Sequence, residues 1–234
     1  GLPLSGDMQL YATGSFMDKK VLSSFFYRNP VLPAQYGIGG RSTLVSYADG
    51  TLTPANAPQS LVDSIVAGGG DPANYLTANA ASPSGWVLLN PIYTKFPGGY
   101  SPLFGADISD RQLVGGVRGG GQSNLQWDLH YRTGSNEVDY QLKGSINPSL
   151  VNLSPTNFHP GKLTQREQGA GADFVRSFDD SPLTLAFGAN WRQETYIIHQ
   201  GDAGSIEVGP TASVFGVGSD AFQGFPANAA GRFT

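Results

Sequence analysis

No cysteine occurs in the 234 residues, so a disulfide framework and thiolate metal sites are both excluded, while the redox compartment stays open. No stretch approaches the roughly 18 consecutive apolar residues of a membrane helix, which excludes a helical membrane protein. A barrel is not excluded. Half of each barrel strand is polar, so mean hydropathy can stay slightly below zero, as it does here at -0.19. Charge is also scarce: 14 Lys and Arg stand against 18 Asp and Glu, for a formal net charge of -4. With no basic stripe, nucleic acid is not an expected partner. Residues 1–7 lack the basic region and apolar run of a signal peptide.

Motifs of common catalytic chemistry are missing as well. His130, His159 and His199 have no close companion histidine and no helical His-Glu-x-x-His arrangement, so no metal site is expected. The glycines at 115–116 and 119–121 lack the Lys-Ser/Thr of a phosphate loop and sit between two strand-like stretches, where a turn explains them. No Gly-x-Ser-x-Gly elbow is present. Asp179 and Asp180 precede Ser181-Pro182 and read as turn residues. Asp202, near Gly201, Gly204 and Glu207, has too few neighbouring oxygen ligands for calcium. No catalytic residue and no cofactor is expected.

What the chain does have is 32 glycines, 16 prolines and 11% aromatic residues, a composition of strands, tight turns and long ordered loops. Its organising stretch is residues 119–132. In an extended strand Leu125, Trp127, Leu129 and Tyr131 line one side, and Gln126, Asp128, His130 and Arg132 line the other. A soluble sheet makes that pattern by packing its apolar face on a core; a membrane barrel makes it by turning that face to lipid and its polar face to a wet lumen.

The same alternation appears at residues 8–16 and 183–191. Met17-Asp18-Lys19-Lys20 contains neither glycine nor proline, which leaves a turn there or one long strand reaching Tyr27. Residues 110–118 and 168–178 read as further strands. After Thr133-Gly134 the apolar parity shifts to Val138, Tyr140 and Leu142, as a one-residue bulge would produce. Residues 29–109 are rich in proline, glycine, alanine and asparagine. They read as a long loop or small insert, with a short helix over 57–67 stopped by Gly68-Gly69-Gly70. Residues 147–162 and 201–234 read as loops. Long and short connections thus alternate, as they do in outer-membrane barrels.

Specific wording sharpens this. Phe96-Pro97-Gly98-Gly99-Tyr100-Ser101-Pro102-Leu103, followed by Asp107-Ile108-Ser109-Asp110, resembles the segment that leads an outer loop back into the barrel of TonB-dependent outer-membrane receptors. Trp127-Asp128, Tyr140 and Ser145-Ile146-Asn147-Pro148-Ser149-Leu150 resemble the family's next strand and loop. Ser154-Pro155-Thr156-Asn157-Phe158, the run from Leu183 to Tyr196, and Gly201-Asp202 follow in the family's order. The likeness is spread over residues 8–226.

The resemblance implies an all-β fold: an antiparallel transmembrane β-barrel segment with long extracellular loops. Such receptors close about 22 strands around a plug. The alternation here accounts for five or six, with no plug and no TonB-contacting motif, so residues 1–234 are expected to be part of a barrel, with 29–109 as the long extracellular loop or insert. Implied partners are outer-membrane lipid, the remaining barrel and plug, TonB, and a small-molecule or oligosaccharide ligand; the implied location is the bacterial outer membrane. Tyr75, Trp86, Tyr93 and Tyr100, interleaved with asparagines, are the candidate ligand-binding residues. Gln126, Asp128, His130 and Arg132 are expected to face the lumen. A soluble secreted β-sandwich that binds glycans or serves as an adhesive module is the alternative.

Overall fold

The computed structural model describes residues 1–4, 6–25, 27, 45–47, 52–88, 95–121, 124–215 and 224–234. Strands β1 (Leu2–Pro3) and β2 (Gln9–Ser24) open the chain. Then come β3 (Val45–Tyr47), β4 (Leu52–Asn56), helix α1 (Gln59–Ala67), β5 (Thr77–Ala78) and β6 (Trp86–Leu88). Four long strands follow, β7 (Leu103–Gly119), β8 (Leu125–Lys143), β9 (Asn157–Ser177) and β10 (Thr184–His199). Two short helices, α2 (Ala203–Ile206) and α3 (Ala212–Phe215), precede the last strand, β11 (Gly231–Phe233).

The fold is mostly antiparallel β. Seven strands form one sheet in the order β1-β2-β7-β8-β9-β10-β11, and the sheet does not close. Beside it, β3, β4, β6 and β5 form a small sheet of their own. Here α1 buries Leu61, Val62 and Ile65 with Ala57, Leu76 and Leu88. The helix lies where the spacing predicts, and a glycine at φ 75°, Gly69, follows it.

Residues 17–20 continue β2 without a turn: Phe16↔Arg111, Asp18↔Ser109 and Lys20↔Asp107 pair in unbroken register. The bulge expected after Thr133-Gly134 is absent, because both residues pair normally with Leu113 and Gln112 on one side and with Gln168 and Glu167 on the other. The parity shift has another cause, taken up below. The irregularity in β8–β9 pairing lies between Tyr140 and Leu142, where β9 carries an extra residue around His159, Pro160 and Gly161. Proline has no N–H to give a ladder, and Gly161 adopts φ 125°, so these residues suit a bulge. The tail is not all loop: β11 pairs with residues 196–198 of β10.

The short connections between β1 and β2, β7 and β8, and β9 and β10 lie at one end of the sheet, and the long connections at the other. At the tight end Gly120 has φ 83°, and a Cβ there would meet the Leu125 carbonyl oxygen at 1.8 Å. At the long-loop end, two connections lock together. Asn147 is wholly buried; its Nδ2 donates to the carbonyls of Gly204 (3.0 Å) and Glu207 (2.8 Å). Its Oδ1 accepts from the N–H (3.1 Å) and hydroxyl (2.7 Å) of Ser149, filling all four of its side-chain hydrogen-bonding positions. Ser149 in turn accepts from the N–H of Gly209 at 2.9 Å.

Replacing Asn147 by alanine would strand several buried polar groups, at a cost of about 2–4 kcal/mol. The expected result is protease cleavage within 144–156 and 200–215 at lower protease concentrations than in the parent, with the strand signal in circular dichroism unchanged.

Candidate functional site

Because the register is continuous, each row of paired residues presents its side chains on one face of the sheet. One row runs Leu10–Val117–Leu129–Ala172–Ala189, and the next Ala12–Gly115–Tyr131–Ala170–Trp191. Toward the tight turns, Trp127, Phe174 and Phe187 share a third. All carry apolar or aromatic residues across the sheet, and among the described residues nothing covers them: Leu10 is 41% exposed, Leu129 47%, Phe187 53% and Trp191 51%. Trp127 lies over Gly119, where a Cβ would meet its ring at 2.8 Å, while the rings of Phe174 and Phe187 stack at 5.2 Å.

Further toward the long loops the same face turns polar, with Asp18, Ser109, Glu137 and Thr164, then Lys20, Asp107, Asp139 and Lys162. Lys20 pairs with Asp107 at 3.2 Å and Lys162 with Glu137 at 3.1 Å, and His159 bonds Asp139. The opposite face does the reverse: Ile108, Val138, Leu163 and Ile198 share a row, and rings of Phe104 and Tyr140 stack at 5.6 Å with Phe225 edge-on to Tyr140. The shift in apolar parity along β8 is therefore an exchange of polarity between faces, shared by neighbouring strands, and needs no inserted residue.

At the level of the apolar band, the opposite face holds a polar network. Tyr11 donates its hydroxyl to Asp128 Oδ1 at 2.7 Å, and His130 Nδ1 lies 3.3 Å from that oxygen and 3.7 Å from Asp173 Oδ2. Arg132 Nε donates to Glu167 Oε1 at 3.0 Å, while Arg192 reaches Glu167 Oε2 at 2.9 Å and also contacts Glu194. Arg118 donates to Gln9 and lies over the Tyr11 ring, 5.5 Å from its centre. These side chains lie along the sheet because glycines leave them room. A Cβ on Gly116 would meet the Tyr11 hydroxyl at 2.6 Å, one on Gly171 the His130 ring at 2.4 Å, and one on Gly169 Arg132 Nε at 2.9 Å.

Gln126, Asp128, His130 and Arg132 thus share this polar face. Gln126 and Asp128 line a shallow hollow at the tight-turn end with Arg118 and Asp173; Arg132 lines another around Gly134 and Glu167. The aromatic candidates are not brought together in one site. Tyr75 and Trp86 pack on the core of the small insert, and Tyr100 is buried near Ile146, its ring stacked at 4.4 Å on Phe96. Tyr93 lies outside the described residues.

Asp202 is the N-cap of α2, accepting from the N–H groups of Ser205 (2.8 Å) and His159 (2.7 Å). Among the described residues no group of three or more His, Asp or Glu is placed to hold a metal ion. The partners sequence reasoning missed are Tyr11, Glu167, Asp173 and Arg192. Each falls at an alternate position of its own strand, but only the register shows which faces which.

Comparison with protein-family models, curated proteins and solved structures gave no match, so function rests on this geometry and the chain's wording.

Gly171→Ala is expected to push His130 off the sheet and destabilise the protein by about 1–3 kcal/mol. In a double-mutant cycle of unfolding free energies, adding His130→Ala should recover most of that loss, which separates displacement of the ring from a general preference for glycine.

Proposed function

We propose that this chain forms part of the wall of a TonB-dependent receptor in a bacterial outer membrane, whose parent binds a scarce solute outside and imports it with energy coupled through TonB. The observation that carries this reading is the exposed apolar band, aligned row by row over five long strands, with an ion-paired polar network directly behind it. Lipid suits the first face and a wet lumen the second. Strand length points the same way. The 19 residues of β8, at roughly 3.3 Å each, extend about 60 Å, so even tilted the strand outruns an apolar band about 25 Å tall. The strands leave the band on the side of the long connections, where the outward face turns charged, as it must in water.

The wording from Phe96 to Asp110 and from Ser145 to Phe158 narrows a general outer-membrane barrel to this receptor family. In this reading the open edges of β2 and β10 pair with further strands, since unpaired backbone groups in lipid cost several kcal/mol each. Gln126, Asp128, His130 and Arg132 face the lumen. The insert and the Asn147-locked loops stand above the outer surface as preformed walls around the solute's entry.

Leu129→Arg and Phe187→Arg are expected to block membrane assembly, at about 2–4 kcal/mol near the bilayer centre, whereas Gln193→Arg, toward the edge of the band, costs about 0–1 kcal/mol and assembles. Fractionation of a Gram-negative host and detergent extraction measure this. Normal insertion of the first two, or a chain of 24.6 kDa that stays monomeric and folded without detergent, overturns the reading. Uptake of iron chelates, cobalamin and oligosaccharides, compared with and without TonB, identifies the solute.

A further inference from the structure

Where the outward face changes from apolar to charged, one row differs from its neighbours. It runs Phe16–Arg111–Ser135–Arg166–Thr195, so Arg111 and Arg166 flank Ser135 from the two adjoining strands, with backbones about 10 Å apart. Both arginines are exposed, and among the described residues neither guanidinium has an ion pair or hydrogen bond. Their acidic neighbours do not quench them: Glu137 is held by Lys162 at 3.1 Å, and Asp18 lies one row nearer the loops. Between them the short side chains of Thr133 and Ser135 leave a shallow groove, also lined by Phe16 and Leu113. Phe16 is 85% exposed.

We propose that this groove seats the phosphate headgroup of a membrane lipid, held by Arg111 and Arg166 with the Ser135 hydroxyl between them, its acyl chain running along Phe16 and Leu113. The inference rests on the membrane reading above. A guanidinium matches phosphate oxygens with paired N–H donors, and two of them with no partner among the described residues provide a charge for an anion to neutralise. The position selects a lipid over a free phosphate: the arginines sit at the rim of the apolar band, at headgroup depth, with an apolar track leading toward its centre. The polar rows beyond lack this arrangement, because there the cations are already paired with carboxylates.

The test uses the complete receptor of which this chain is part, so that the edges of β2 and β10 are paired, reconstituted into vesicles of dioleoyl phosphatidylcholine, alone or doped with dioleoyl phosphatidate, a phosphate monoester lipid. Lipid retained after mild detergent extraction is counted. The parent chain is expected to retain phosphatidate in preference to phosphatidylcholine, Arg111→Gln/Arg166→Gln to reduce that preference roughly tenfold, and inorganic phosphate not to displace the lipid. Equal retention by parent and variant, equal retention of both lipids, or displacement by inorganic phosphate would overturn the proposal. Flotation with phosphatidylcholine vesicles separates the two readings. A parent that floats without phosphatidate preference refutes the headgroup site alone, and one that does not float refutes the membrane reading and the site with it.

Discussion

Unbroken backbone pairing across β2, β7, β8, β9 and β10 is the constraint on which the rest of the molecule depends. Side chains alternate strictly along each strand, so a slip of one residue would carry every side chain of that strand to the other face. Pairing runs without a shift from Gln9↔Arg118 to Ser24↔Leu103, and from Gly119↔Trp127 to Leu103↔Lys143. The one shift in the five long strands falls at Tyr140/Leu142, beyond the apolar band, where Pro160 and Gly161 absorb it. The band stays in line because the departure occurs where neither face must match it.

Two polarity profiles are laid on this ladder in opposite phase. Where one face carries Leu129, Tyr131 and Trp191, the other carries Asp128, His130, Arg132 and Arg192; nearer the loops Glu137 and Lys162 lie on the first face and Val138, Leu163 and Tyr140 on the second. The apolar part of the second face is covered by chain at Tyr140, on which Phe225 packs. The polar part of the second face forms its ion pairs within the sheet. Half-exposed ion pairs such as Arg132–Glu167 contribute only about 0–1 kcal/mol each, so their effect is to fix side-chain positions more than to hold the sheet. Gly116, Gly169 and Gly171 make that possible by giving up their own side chains.

The loops follow a different logic. Asn147 pins the connection after β8 to the one after β10, and Tyr75, Trp86 and Tyr100 bury apolar surface inside the loop structures. Tyr75, Trp86 and Tyr100, the described aromatic candidates for ligand contact, pack within these loop structures and do not converge on one site. Residues 147–162 read as a loop, yet Asn147 caps a short 3-10 helix, Pro148–Leu153, with proline in its first turn, and its depth of burial does not show in the local pattern.

Period-two alternation in residues 8–16, 125–132 and 183–191 was enough to establish β-structure and to place Gln126, Asp128, His130 and Arg132 on one face, while the glycines at 119–121 and Asp179-Asp180-Ser181-Pro182 marked two of the turns. These are local properties, set by how a strand points successive side chains. The sequence alone also specified that Leu129 and Arg132 lie on opposite faces. Tertiary structure decided which strands are neighbours, and with that the row joining Arg111, Ser135 and Arg166, the meeting of Tyr11 with Asp128, and the reading of the parity shift as an exchange between faces. It likewise decided that residues 52–88 fold around α1 and that β11 returns to β10. Arg111 and Ser135 stand 24 positions apart, Ser135 and Arg166 31, and Tyr11 and Asp128 117; no local period encodes such relations, and the hydrogen-bond register between strands does.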